Sequence, residues 1–430
     1  MLKKVSLAAA RDRSYEKASR NLRDLAELEV SPKQVQRVAI RIGNERLAEQ
    51  RQCIERYQAA TLPGQQHGQP DNAPQNDWSG RAAVVQCDGG RAQIRDALWD
   101  EPKPAGKRHR WWRETQSGVL QTYLSKPSTD DPHPEVPAEL TDPLWAVPKF
   151  NEIHRAQAGQ GGHDAPGSDE GGMDHEVCAS DGGLAASRES AEATSCEPDA
   201  TAKAADNQPD SPRWSGGPPL VKTVVATRRG YDYLGLALAA LAYCRGFNKA
   251  SAKAFLGDGL KVNWSLWSRH FSHYTPIVDL MHALSYVYAA AVACGATIED
   301  GWSLYLRWLA WVWAGNVSQV IEALRVIAAG RTERIESLDR AITYLSNNAS
   351  RMNYAEYRRA GLPITTALVE STQKQINWRV KGTEKFWRDE HLEPLLQLVT
   401  DDMSDTHDCQ QFWRRRRDRF NGFRNRRAKA

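Results

Sequence analysis

Apolar positions recur at helical spacing over residues 13–58, where Tyr15, Ala18, Leu22, Leu25 and Ala26 make a first stripe. Ser31-Pro32-Lys33-Gln34 then fits a capping box with proline at the first helical position. The helix that follows carries Val35, Val38, Ala39 and Ile42 inward, and Lys33, Gln34, Arg37 and Arg41 outward. Two helices joined by a short turn, the second rich in Gln and Arg, suit a helix-turn-helix DNA reader or a plain helical hairpin. Residues 61–80 are rich in Pro, Gly, Gln and Asn and read as a linker.

From Ala82 the period changes. Ala82-Ala-Val-Val-Gln-Cys-Asp88 predicts a short buried strand that ends in Asp, followed by Gly89-Gly90 and a second strand to Arg95. Gly118 to Leu124 predicts a third, so the three make an antiparallel meander. Between them lies a basic, aromatic patch of Lys107, Arg108, Arg110, Trp111, Trp112 and Arg113. Residues 127–148 are punctuated by proline, and 157–219 hold few large apolar groups, which predicts disorder. Order resumes with strands at Val221–Thr227, Ala252–Asp258 and Thr275–Asp279, separated by helices over Tyr231–Phe247 and around Trp264–Phe271. Strand, helix, strand, helix, strand after a meander predicts an α/β fold with a sheet of mixed direction. From Ala283 to about Ser350 the pattern is helical throughout, with Trp302, Tyr305, Trp308, Trp311 and Trp313 as an aromatic core.

Gly361-Leu-Pro-Ile-Thr-Thr-Ala then leads into a last amphipathic helix, with Thr365 or Thr366 as its cap. Val369, Thr372, Ile376 and Val380 share its apolar face. Glu370, Gln373, Lys374, Asn377 and Lys381 share the adjacent polar face. Residues 412–430 are dense in arginine, with Trp413, Phe420 and Phe423 interleaved, and read as a phosphate-tracking arm or a solvated tail.

Charge and composition change this picture little. The 430 residues carry a net charge of only +4, so nucleic-acid binding must come from local patches. Seven scattered cysteines with no paired spacing suit a reducing compartment and neither disulfides nor a zinc site. No apolar run reaches membrane-spanning length, and a soluble, cytoplasmic, nucleoid-associated protein with no membrane partner is expected.

Three acids stand out: Asp88 and Asp258 at strand ends, and Glu370 on the late helix. Carboxylates brought from separate parts of a chain suit two Mg²⁺ or Mn²⁺ ions about 4 Å apart, which serve phosphoryl transfer. Asp279 also ends a strand and is the alternative second acid.

The segments Val-Val-Gln-Cys-Asp88-Gly-Gly-Arg, Phe-Leu-Gly-Asp258-Gly-Leu-Lys-Val-Asn-Trp, Ile-Val-Asp279-Leu-Met-His282 and Gly361-Leu-Pro-Ile…Val-Glu370-Ser…Lys-Gln…Arg-Val-Lys-Gly382 carry a resemblance. In order and content they resemble the RNase H-like (retroviral integrase superfamily) core of DDE transposases encoded by bacterial insertion sequences. The resemblance is to the Mutator-like-related group with an all-helical insertion. It implies that Asp88, Asp258 and Glu370 are the catalytic metal ligands for two Mg²⁺ (or Mn²⁺). It implies that Asp279 and His282 form an accessory motif. On a DNA-cutting reading, the basic Lys374, Arg379 and Lys381 are expected to steady phosphates near Glu370. The implied activity is cleavage at element ends and strand transfer into target DNA by a homo-oligomer. The implied layout is a helical DNA-binding module (1–60), linker (61–80), first part of the core (81–156), polar insert (157–219), second part of the core (220–282), helical insertion (283–360), last catalytic helix region (361–400) and basic tail (401–430). One departure is Thr365-Thr366-Ala367, where that family often carries Gly-Ser-Gly; bulkier groups there are expected to narrow the approach to Glu370.

Overall fold

The computed structural model describes residues 1–70, 77–95, 111–160, 218–382 and 384–427. Three helices come first: α1 (Leu2–Arg11), α2 (Tyr15–Ala26) and α3 (Pro32–Ala59), with a short α4 (Leu62–His67) inside the expected linker. The capping box forms as the sequence implies. The Ser31 hydroxyl accepts from the Gln34 N–H, and the Gln34 side chain accepts from the Ser31 N–H.

The strands are β1 (Arg81–Ile94), β2 (Trp112–Leu124), β3 (Val221–Thr227), β4 (Ala252–Gly257), β5 (Thr275–Val278) and a two-residue β6 (Phe386–Trp387). They form one mixed sheet in the order β3-β2-β1-β4-β5, with β6 beside the far end of β1. β2 is antiparallel to both β1 and β3, whereas β4 runs parallel to β1 and to β5.

Two expectations change here. Asp88 does not end a strand: β1 runs on unbroken through Gly89 and Gly90, with Asp88 paired opposite Ser117. The glycines are not a turn, because both keep the antiparallel register with β2. The third strand of the meander is therefore β3, not Gly118–Leu124. The polar stretch expected after the meander falls inside it, between β2 and β3. Most of that stretch, like Lys107, Arg108 and Arg110, lies outside the described residues; 157–160 belong to the end of α6 (Pro143–Gln160). The proline-punctuated residues before it hold α5 (Ala138–Thr141) and the start of α6. There Pro143 sits where a missing N–H is harmless.

Alternation along β1 seals both faces of the sheet. Ala83, Val85 and Cys87 pack with α7 (Tyr231–Cys244) and α8 (Lys261–His270), joined by Ile54 and Tyr57 of α3. Ala82 and Val84 face the other way. They meet a helical mass of α5, α6, α9 (Leu280–Cys294), α10 (Ile298–Trp313), α11 (Val317–Ala329), α12 (Glu336–Asn348) and α13 (Tyr354–Arg359). On that same face, Ala92, Val119 and Val224 meet α1–α3, α14 (Ala367–Val380) and α15 (Asp389–Met403). The last helix, α16 (Asp408–Arg427), lies along α3 through Arg415–Glu49 and Arg416–Glu45 ion pairs. Tyr305, Trp308 and Trp313 are buried in the helical mass, as an aromatic core requires. Among the described residues, no helix is long and apolar enough to cross a membrane.

Candidate active site

Parallel pairing of β1 with β4 places Gln86 opposite Leu256. Two residues further along each chain, on the same face, come Asp88 and Asp258. That face is crossed by α14. Gln86 bolts the helix down: its side-chain nitrogen donates to the Thr365 carbonyl, and its side-chain oxygen accepts from the Val369 N–H. Gly90 lets α14 come close, since a Cβ there would collide with the Gln373 side chain. Glu370, one residue after Val369, is thereby brought near enough for its charge to act on Asp88.

Each acid is held by neighbouring donors. Asp258 Oδ1 accepts from the Leu260 N–H at 3.0 Å and from Asn263 Nδ2 at 2.8 Å. Asp88 Oδ1 accepts from the Gly89 N–H at 2.7 Å. Glu370 Oε1 accepts from the Thr366 hydroxyl at 2.9 Å. Burial, then the negative charges of Asp258 and Glu370, push the Asp88 carboxyl up to about 7. Glu370 is raised as well, by burial first and then by Asp279, against the pull of His282, the Thr366 hydroxyl and Lys374. Asp88 thus feels the charges of both Asp258 and Glu370, so the three acids border one region of the fold.

Asp279 and His282 sit beside them. Asp279 is fully buried at the start of α9 and caps it by accepting from the His282 N–H. Its Oδ1 accepts from the Thr366 N–H at 2.6 Å, and its Oδ2 lies 2.8 Å from His282 Nδ1. Burial opposes a charge on His282, but Asp279, Asp258 and Glu370 outweigh it and raise the imidazole to about 10. Asp279 is held down, its own burial overcome by the His282 side chain and the two N–H donors. Asp279, His282 and Glu370 each offer a ligand atom within 4.8 Å of the others. Both Asp279 oxygens are already engaged, so His282 Nε2 and the Glu370 carboxylate are the groups this corner leaves for a ligand.

Asp88, Asp258 and Glu370 suit a hard divalent cation. All three are oxygen donors, and burial, then the charges of Asp258 and Glu370, raise the Asp88 carboxyl to about 7 against the pull of the Gly89 N–H and His282. The second oxygens of Asp88, Asp258 and Glu370 have no hydrogen-bond donor among the described residues.

The proposed phosphate-contacting residues separate into two sets. Lys374 lies one turn beyond Glu370, exposed, and its Nζ is 2.8 Å from Glu152 of α6. Lys381 is exposed at the end of α14, with its Nζ 5.7 Å from the Trp112 ring. Arg379 is different. It is 1% exposed, donates to the carbonyls of Ala9 and Arg13, and stacks on Tyr15 and Trp387. It fastens the N-terminal helices to α14 and touches no solvent-facing ligand. Counting at about 100° per residue puts Arg379 opposite Glu370, beside Thr372 on the buried side, so the helical wheel already carried the warning. Lys33, Gln34, Arg37 and Arg41 are all exposed on the first half of α3. Gln34 is spent on the capping box, and Arg41 lies 3.6 Å from Glu45.

Three contributors had no sequence signal of their own. Asn263 and Gln86 read as ordinary polar residues. The Tyr231 hydroxyl lies against Gly89, where a Cβ would come within 3.2 Å of it, and burial together with Glu114, Asp258, Cys87 and Asp88 raises it far above its usual range. Thr365 and Thr366 are buried rather than projecting over the site. No family model matches the chain, and no curated protein matches it.

Proposed function

We propose that this protein is a DNA transposase of the DDE kind, with Asp88, Asp258 and Glu370 as its catalytic acids on an RNase H-like core. The observation that carries this reading is the placing of Asp88, Asp258 and Glu370 at one end of the sheet, where burial and then the charges of Asp258 and Glu370 raise the Asp88 carboxyl to about 7. The sheet order β3-β2-β1-β4-β5, with the first three strands antiparallel and the next two parallel, supports it. So does the run of helices between β5 and α14, where the all-helical insertion is expected.

The three carboxylates would hold two Mg²⁺ or Mn²⁺ ions, which when bound activate an attacking oxygen and offset charge on the leaving oxygen. The chain's own residues do the positioning. Asn263 and the Leu260 N–H orient Asp258, the Thr366 hydroxyl orients Glu370, and Asp279 orients His282. His282 supplies positive charge at the edge of the cluster, and Lys374 stands ready for a phosphate one turn from Glu370. Hydrolysis at an element end frees a 3′-hydroxyl, which then attacks target DNA; no protein nucleophile is needed.

The test is cleavage of DNA carrying the ends that flank the gene, with Mg²⁺ or Mn²⁺, by wild type and by Glu370→Gln. Cleavage by wild type alone, followed by joining to a target, is expected. Cleavage without joining would leave a nuclease of the same chemistry. End binding without cleavage by either protein would leave a DNA-binding protein. Equal cleavage by both would remove Glu370 from the site.

A further inference from the structure

The helix that carries Glu370 has more to offer than one acid. Beyond Glu370 its exposed residues are Lys374, Gln375, Trp378 and Lys381, with Asn377 half-buried, and no acid follows on the helix. Lys374, Asn377 and Lys381 continue the Glu370 stripe to within about 40°, and Trp378 lies about 80° round from it. Trp378 leaves 52% of its surface in water although the far side of α14 is sealed by Val369, Ile376 and Val380. The end of the helix is pinned, because Lys385 Nζ donates to the carbonyls of Trp378 and Arg379. Past it, Lys381 Nζ lies 5.7 Å from the Trp112 ring. A firmly held helix thus presents acid, cation, indole and cation in sequence along one side.

We infer that α14 is a track for an unpaired stretch of DNA strand, on which Trp378 stacks against an unpaired base while Lys374 and Lys381 contact flanking phosphates. This rests on the reading of the acid cluster as a DNA-cutting site and adds the form of DNA that the site holds. Aromatic faces bind nucleic acid by stacking, and a base offers its face only when it has left the duplex. Along the helix axis Trp378 is about 12 Å from Glu370, the rise of about three to four nucleotides of a strand. The Lys374–Glu152 pair is no obstacle: both side chains are more than 60% exposed, and such pairs are worth little.

The experiment is fluorescence anisotropy on the intact chain in buffer without divalent cations. The probes are a labelled oligothymidylate and a labelled duplex of equal length. For Trp378→Ala the expected result is a loss of about tenfold or more in affinity for the oligothymidylate, and less than about twofold for the duplex. Trp378→Phe should keep most of the affinity, since a smaller ring still stacks. Unchanged oligothymidylate binding by Trp378→Ala, or an equal loss on both probes, would overturn the stacking role. If wild type binds neither probe, the reading of the protein as DNA-acting falls first, and that outcome is distinct from the other two.

Discussion

At the scale of single residues the site is a set of charges that do not balance. Asp88 is buried beside the charges of Asp258 and Glu370, and its carboxyl is raised to about 7. An unfolded Asp releases its proton near about 3.9. An acid whose folded value is raised contributes its stability below the unfolded value, and that contribution is lost as pH climbs through the folded one. Without divalent cations the protein should therefore lose stability between about pH 4 and 7. Asp88→Asn should remove the Asp88 share of that loss and leave the part owed to the raised Glu370. We expect the variant to melt above wild type at pH 8, by roughly 1–3 kcal/mol given partial exposure, and to match it near pH 4. Adding Mg²⁺ should raise the melting temperature of wild type and leave the variant nearly unmoved. Thermal denaturation across pH, with and without Mg²⁺, reads both effects; a variant less stable than wild type at pH 8 would mean that the acids do not repel. The same scale explains the Thr365-Thr366 departure. Both threonines are buried, and Thr366 turns its hydroxyl to Glu370, so the added bulk is inside the fold and not in front of the acid.

At the scale of elements, the sequence showed the parallel strands and their helices well, because each is a short apolar run closed by a turn residue. Asp258 and Asp279 both follow their strands directly. Reading was weakest where one residue type serves two geometries. Gly89-Gly90 reads as a turn, yet here the pair keeps β1 extended and lets Gln373 approach the strand. Prolines before α6 read as loop, though one of them simply starts a helix. The intervening polar stretch hid the pairing of β3 with β2, since nothing local reports which distant strand a strand will meet. Gly43 was silent for the same reason. It sits mid-helix in α3, where glycine is a cost, and its reason is α15: a Cβ would run into the Pro394 carbonyl. Backbone cannot move aside as a side-chain tip can. Gly43→Ala should gain helix propensity yet destabilise by about 1–3 kcal/mol through overpacking, measured by urea unfolding. Equal or greater stability would show that α3 and α15 can separate without cost.

At the scale of the molecule the N-terminal helices are the issue, because the sequence marks residues 1–60 as a helical module without saying how it joins the rest. Their contacts build them into the core. Val5, Ala9, Leu22, Val35 and Ile42 share a core with Ala92, Val119 and Val224 of the sheet and with Val369 and Ile376 of α14. Arg379 anchors α14 to the carbonyls of Ala9 and Arg13. Arg46 is buried against Asp401 of α15, Nε to Oδ2 at 2.7 Å, and further along α3 Ile54 and Tyr57 pack on the other face of the sheet. The helix bearing Glu370 is thus braced from behind by residues of the first helices. Removing residues 1–60 would bare a continuous apolar surface of α14, α15 and the sheet and leave the Arg379 guanidinium without its carbonyl acceptors. The truncated chain should aggregate or lose its cooperative transition, whereas the intact chain should unfold with α3 and the sheet melting together. Hydrogen exchange on the intact chain distinguishes the cases without relying on the truncation. Equal protection in α3 and β1 supports one cooperative body, and early exchange of α1–α3 with β1 still protected would make them a separate module. In the first case the exposed Lys33, Arg37 and Arg41 of α3 are rigidly tied to Glu370, so on the proposed DNA-cutting reading contacts made there would place DNA relative to Glu370 directly.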